Sequence, residues 1–145
     1  MKIQIINGPN LNMLGIREPA VYGSGSFEEF LEKLRVQFAD LEIASFQSNI
    51  EGELVEKLQH CRGTVDAVIL NAGGYTHTSI AIHDAIAAAE IPVVEVHISN
   101  IHARETFRHK NIISSNCVGM ITGLGLEGYR LAILYFMEKF SSSKG

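Results

Sequence analysis

Two groups of residues in this chain are of types that move protons. Glu95 and His97 stand two apart in the apolar run Ile91–Ile98, so on a strand both side chains point to one face. A carboxylate there can accept the imidazole N–H, fix the ring's tautomer and favour its protonated, proton-donating form. The second group lies in the long connection after the first apolar run. There Asn7-Gly8-Pro9-Asn10-Leu11-Asn12 is followed by Gly15-Ile16-Arg17-Glu18-Pro19 and Tyr22-Gly23. A connection of that length in a small domain is usually a binding or catalytic element. A loop tyrosine is by default only a surface residue. Its hydroxyl ordinarily ionises near 10, which leaves the phenolate ~4 kcal/mol uphill at pH 7. A cation within a few ångströms in a water-poor site offsets much of that. Arg17 shares the loop with Tyr22, and Arg104 and Arg108 follow the Glu-x-His strand, so Tyr22 reads as a general base.

The elements that must position these groups are legible as alternating patterns. Runs rich in β-branched residues predict strands at Ile3–Ile6, Leu41–Phe46, Val65–Leu70, Ile91–Ile98 and Val118–Thr122. Phe27, Phe30, Leu31, Leu34 and Phe38 keep helical spacing after Ser26 as N-cap. Ile50, Leu54, Leu58 and Cys61 mark a second helix, capped by Ser48 or Asn49. A third helix is expected over Thr78–Ala89 and a fourth over Leu126–Phe140, with a frayed Ser, Lys and Gly tail. Alternation of strand and helix means right-handed crossovers and a parallel sheet covered on both faces. With five strands this predicts an α/β, flavodoxin-like three-layer sandwich of order 2-1-3-4-5, a single catalytic domain over 1–145. The third helix is apolar almost all round, which suits either tight internal packing or contact with another subunit.

In open α/β sheets ligands bind beyond the carboxyl ends of the strands. Strand one ends in Asn7 and Asn10, strand three in Asn71 through His77, and strand four in Glu95, His97, Ser99 and Asn100. Alone, a Glu-x-His pair can merely satisfy two buried polar groups; facing Asn10 and Asn71 at strand ends, it reads as functional. Three other patterns carry less. Gly123-x-Gly125-x-x-Gly128 matches a dinucleotide fingerprint but sits in the last strand–helix unit, so tight packing explains it better. The six histidines show no metal-ligand spacing, and no metal or cofactor is expected. Ser79 lies near His77 but lacks the Gly-x-Ser-x-Gly turn of a nucleophile.

Bulk properties narrow the class further. A length of 145 residues with 46% hydrophobic content supports one substantial core, and a net charge of −4 gives no basic footprint for nucleic acid. No apolar run is long enough to cross a membrane, and the chain enters a strand at once, so no signal peptide is expected. Cys61 and Cys117 read as a buried reduced pair in a cytoplasmic protein.

With these residues in hand, the chain closely resembles the type II 3-dehydroquinate dehydratases (type II dehydroquinases). The motifs that carry the resemblance run through nearly the whole chain. They are Asn-Gly-Pro-Asn-Leu-Asn at 7–12, Leu-Gly-x-Arg-Glu-Pro at 14–19 with Tyr22-Gly23, Gln-Ser-Asn at 47–49, and Tyr-Thr-His-Thr-Ser at 75–79. Glu-Val-His-Ile-Ser-Asn at 95–100, Ala-Arg-Glu at 103–105 and Phe-Arg-His at 107–109 continue it, with Gly-Leu-Gly and Gly-Tyr near the end. The resemblance implies cofactor-free loss of water from 3-dehydroquinate to give 3-dehydroshikimate, a step of the shikimate pathway that also serves quinate breakdown. Tyr22 would take the proton beside the ketone, a water on Asn10 would hold the enolate, and His97, oriented by Glu95, would protonate the departing hydroxyl. Arg17 would lower the tyrosine pKa and steady the transition state. Asn71, His77 and Arg108 would hold hydroxyls, and Ile98 and Ser99 the carboxylate, with Asp84 supplied across a subunit boundary in trimers assembled into a dodecamer. Gly74 and His83 stand where the family more often has alanine and arginine. The competing class is a flavodoxin- or receiver-like binding module. A receiver would want an acidic cluster at the ends of strands one and three, where this chain has asparagines, and a flavodoxin would want a hydroxyl-rich phosphate loop and stacking aromatics.

Overall fold

The computed structural model describes residues 1–15 and 25–143. The loop residues Arg17 and Tyr22 lie outside the described residues. Five strands, β1 (Lys2–Asn7), β2 (Glu42–Gln47), β3 (Ala67–Asn71), β4 (Val93–His97) and β5 (Gly119–Thr122), form one parallel sheet of order β2-β1-β3-β4-β5. Among the described residues, four α-helices cover it: α1 (Phe27–Gln37), α2 (Glu51–Cys61), α3 (Ile80–Ala89) and α4 (Glu127–Ser143). This is the flavodoxin-like arrangement that the alternation predicts.

Strand periodicity divides the core in two. Ile3, Ile5, Ile69, Val94 and Val96 pack beneath α1 and α4 against Leu31, Leu34, Ile133 and Phe136. Ile6, Val68, Leu70 and Val93 pack beneath α2 and α3 against Leu54, Leu58, Ile82 and Ile86. Burial on both faces is why these strands read as continuous apolar runs.

Helix ends show where local chemistry moved the expected boundaries. Ser26 caps α1 as expected, its hydroxyl accepting the Glu29 N–H at 3.1 Å. For α2 the N-cap position falls to Ile50, not to Ser48 or Asn49. The Ser48 hydroxyl instead accepts the Ile50 N–H (2.9 Å) and donates to Glu53 (3.1 Å), so it braces the turn from two residues upstream. The third helix begins at Ile80, later than expected, because Gly73–His77 winds as a 3-10 turn and Ser79 serves as N-cap to the Ile82 N–H at 2.9 Å. The last helix runs past Phe140. The Ser142 and Ser143 hydroxyls donate to the Glu138 and Lys139 carbonyls (3.0 and 3.1 Å), which keeps the serines helical where fraying was expected.

Internal packing covers only one side of α3: Ile82, Ala85, Ile86 and Ala89 are buried, while Ile80, Ala81, Asp84, Ala87 and Ala88 are exposed. Both cysteines are free thiols; Cys61 is buried, and Cys117 is only half-buried, so the expected buried pair is half right. Among the described residues, no helix is long and apolar enough to cross a membrane.

Candidate active site

The sheet order reverses at β1, and the carboxyl ends of β1, β3 and β4 open there onto a cavity of about 150 Å³. Backbone geometry brings the three ends together. At Gly8 an added Cβ would lie 2.5 Å from the Ala72 carbonyl oxygen, so only glycine lets the β1 and β3 loops cross so closely. Gly73, at φ +60°, holds the other side of that crossing, 3.1 Å from the Pro9 carbonyl oxygen by the same measure.

Asn10, Asn71, His77, His97, Ile98, Ser99 and Arg108 all line this one cavity, as the sequence motifs imply. Glu95 sits behind His97, fully buried, with its Oε2 accepting from the ring Nε2 in a short hydrogen bond. A carboxylate oxygen only accepts, so Nε2 carries a proton and the tautomer is set. Asn10 adopts the left-handed conformation (φ 70°), and its N–H donates to the Asn49 side-chain oxygen at 2.9 Å. Gln47 ties the same rim by donating to the Gly8 carbonyl and to Asn49 (both 3.1 Å).

Asn71 is buried and already engaged: its amide donates to the Tyr129 hydroxyl (3.1 Å) and its oxygen accepts the Gly73 N–H (3.1 Å). Tyr129 in turn donates to Asn7 at 2.7 Å, so Asn7 is occupied within the fold. Burial raises the Tyr129 pKa well above the ordinary value, and Asn71 lowers it only in part. The hydroxyl therefore stays protonated and serves as a bridge. His77 Nδ1 lies 2.7 Å from the Lys110 carbonyl oxygen, so Nδ1 is the donor and Nε2 is left as an acceptor in the neutral ring.

Asp84 is the one described candidate away from the cavity. Its carboxylate is exposed and meets the His83 ring at 3.0 Å, and His83 also approaches the Ser115 hydroxyl at 3.3 Å. The departure at His83 thus touches a residue that the resemblance assigns to substrate binding. Gly74 lines the cavity with open space around its Cβ position. Arg104, which the sequence offered as a cation following the Glu-x-His strand, also lines the cavity and donates to the Ser99 hydroxyl at 3.2 Å. Arg108 is steadied by Glu105, whose carboxyl it holds below the usual range.

The remaining patterns resolve structurally. Gly123 and Gly125 donate their N–H groups to the His97 and Ile98 carbonyls (3.1 and 2.9 Å), and Gly128 packs where a Cβ would lie 3.1 Å from Val96. The glycine fingerprint is thus a packing device. Among the described residues, no three His, Cys, Asp or Glu side chains gather as a metal would require.

A flavodoxin-like sheet carrying a hydrogen-bonded acid–imidazole pair and a polar cavity defines a class of acid–base enzyme. Comparison with known proteins makes the class specific. The family described as dehydroquinase class II matches residues 1–137. A 3-dehydroquinate dehydratase of Campylobacter jejuni subsp. doylei is 54% identical over 140 residues, spanning 95% of this chain and 88% of its own length. One from Fusobacterium nucleatum is 53% identical over 146 residues, 97% of this chain and 99% of its own. The crystal structure of type II dehydroquinase from Butyrivibrio crossotus is 43% identical with a TM-score of 0.87, over 92% of this chain and 94% of that one. The enzyme from Propionibacterium acnes superposes with a TM-score of 0.89 at 36% identity, over 93% and 94%. This chain belongs to the class II dehydroquinases. The competing module, a flavodoxin- or receiver-like binder, is set aside by that membership.

Proposed function

We propose that the chain is a type II 3-dehydroquinate dehydratase, a hydro-lyase of the shikimate pathway that converts 3-dehydroquinate to 3-dehydroshikimate through an enolate. The observation that carries the reading is the buried Glu95–His97 pair at the wall of a cavity whose other groups are amides, hydroxyls and guanidiniums suited to a polyhydroxy carboxylate. Elimination beside a ketone needs a base, an acid and a way to hold the enolate. Tyr22 is the base, with Arg17 favouring its phenolate and steadying the transition state. His97 is the acid in its imidazolium form: Glu95 accepts a hydrogen bond from Nε2–H, which the ring keeps, and Nδ1–H delivers the proton to the departing hydroxyl, leaving a neutral ring. Asn10 holds the water that meets the enolate. Asn71, with one amide hydrogen without a partner among the described residues, His77 through Nε2, and Arg108 hold hydroxyls, and Ile98 with Ser99 holds the carboxylate. The chemistry uses no metal or organic cofactor, and the protein acts in the cytoplasm.

Ultraviolet assay for the conjugated enone product tests the reaction, with Tyr22→Phe as the control for the base. Turnover in the parent, unaffected by chelators or by borohydride with substrate, and a loss of about 10³-fold in Tyr22→Phe are expected. Inactivation by borohydride would point to a lysine Schiff base and overturn the proposal; no described lysine lines the cavity.

Asp84 completes the site of a neighbouring subunit, in trimers that assemble into a dodecamer. Its distance from its own cavity and the exposed apolar side of α3 support this reading. Asp84→Asn and Tyr22→Phe chains, dissociated and reassembled together, regain activity that neither has alone. A fully active monomer in sedimentation at assay concentration would contradict the assembly.

A further inference from the structure

Asn111 lies outside the cavity, yet it is bound to the carboxylate that orients the acid. Its Nδ2 donates to Glu95 Oε2 at 2.6 Å, the same oxygen that accepts from His97. Its Oδ1 accepts two backbone N–H groups, from Ile113 (3.1 Å) and Ser114 (3.0 Å). Because N–H groups need an acceptor, these two bonds decide which end of the amide is oxygen, and Nδ2 must face Glu95. The turn itself is anchored: Ile113 is fully buried, and the Ile112 N–H donates to the Thr76 carbonyl at 3.0 Å.

Glu95 has few other partners. Oε1 is buried without a hydrogen bond among the described residues. The Cys117 thiol nearby is pushed up to about 12, first by burial and then by the Glu95 charge, so it brings no charge of its own. A buried carboxylate held only by an imidazole is free to swing about its Cγ–Cδ bond; a second donor on the oxygen that the ring uses restricts that rotation. We propose that Asn111 is a positioning residue that aims the Glu95 carboxylate, and through it His97, for proton donation. This rests on the assignment of His97 as the acid.

Asn111→Asp separates positioning from support of the turn. Aspartate keeps an oxygen for the Ile113 and Ser114 N–H groups but sets a second carboxylate against Glu95. The expected result is a fall in kcat of about tenfold or more at neutral pH, by loss of a charge-assisted bond. KM should stay within about twofold, because Asn111 touches no cavity surface. The ratio of variant to parent kcat should rise as pH falls, since the introduced carboxyl, once protonated, can donate to Glu95 as the amide did. In a Glu95→Gln background the glutamine amide can donate to the new carboxylate, so adding Asn111→Asp should cost less than about twofold. An equal loss in both backgrounds, or a flat ratio across pH, overturns the proposal. Nuclear magnetic resonance of the histidine rings supplies a readout that needs no turnover. If Asn111 aims the Glu95 carboxylate, the His97 ring nitrogen and Nε2–H resonances should move in Asn111→Asp at neutral pH, because the bond from Nε2 to Glu95 changes. Unchanged His97 resonances refute the inference even if the assigned reaction is wrong.

Discussion

The two rims of the cavity are built on different principles. On the β4 rim, His97 is 5% exposed and Glu95 fully buried, and the pair is held by ionisable groups and the Asn111 amide. On the β1 rim, Asn10, Asn12 and Asn49 are exposed, and neutral amides tie the backbone together through Gln47 and Asn49. A proton donor must have one tautomer and one direction, and burial in a low-dielectric site enforces both. A rim that admits substrate and a water needs open acceptors and donors, which hydrated amides supply without fixing a charge. The acid side is therefore assembled in advance, while the opposite side keeps its polar groups available to solvent and ligand.

Substitutions on each rim should separate these principles. The largest effect is expected for His97→Ala, a loss of about 10²- to 10⁴-fold in kcat with the fold intact, measured by enone formation and circular dichroism. Asn49→Ala on the opposite rim removes the acceptor for the Asn10 N–H and should cost about fivefold to tenfold, roughly 1 kcal/mol, chiefly in KM. If Asn49→Ala proved as damaging as His97→Ala, the contrast between the rims would be lost. The smallest effect on catalysis should come from Tyr129→Phe, which strips the bridge between Asn7 and Asn71. Two buried amides left short of a partner should reduce stability by about 1–3 kcal/mol, seen as a lower Tm in thermal unfolding, with kcat within about threefold. A large kcat loss there would mean that Asn71 depends on Tyr129 for its orientation toward substrate.

Periodicity and local motif carried the sheet order and the gathering of Asn10, Asn71, His77, His97, Ser99 and Arg108, because strand alternation and strand-end placement are properties of short windows. What escaped depends on contacts distant in sequence. Tyr129 appeared only as part of a Gly-Tyr motif, and nothing near it in sequence shows that its hydroxyl would span Asn7 and Asn71. Asn111 follows Phe-Arg-His-Lys in an irregular stretch with no periodicity to place its side chain. The late start of α3 came from the 3-10 turn at Gly73–His77, a choice between i+3 and i+4 bonding that composition does not reveal. Serines at the end of α4 looked like a frayed tail, yet their hydroxyls return to carbonyls four residues back.

The hydrogen bond from Tyr129 to Asn7 joins positions 122 apart in the chain. Loop closure over such a separation is among the late events of folding, since its entropy must be met before the contact contributes. During synthesis, strands β1 and β3 emerge and pair well before α4 exists to supply that hydroxyl. Until α4 docks, the Asn7 oxygen and one Asn71 amide hydrogen lack the partner that Tyr129 supplies in the folded chain. The buried lining behind the cavity is in this sense completed by a helix far along the chain from the strand that it closes.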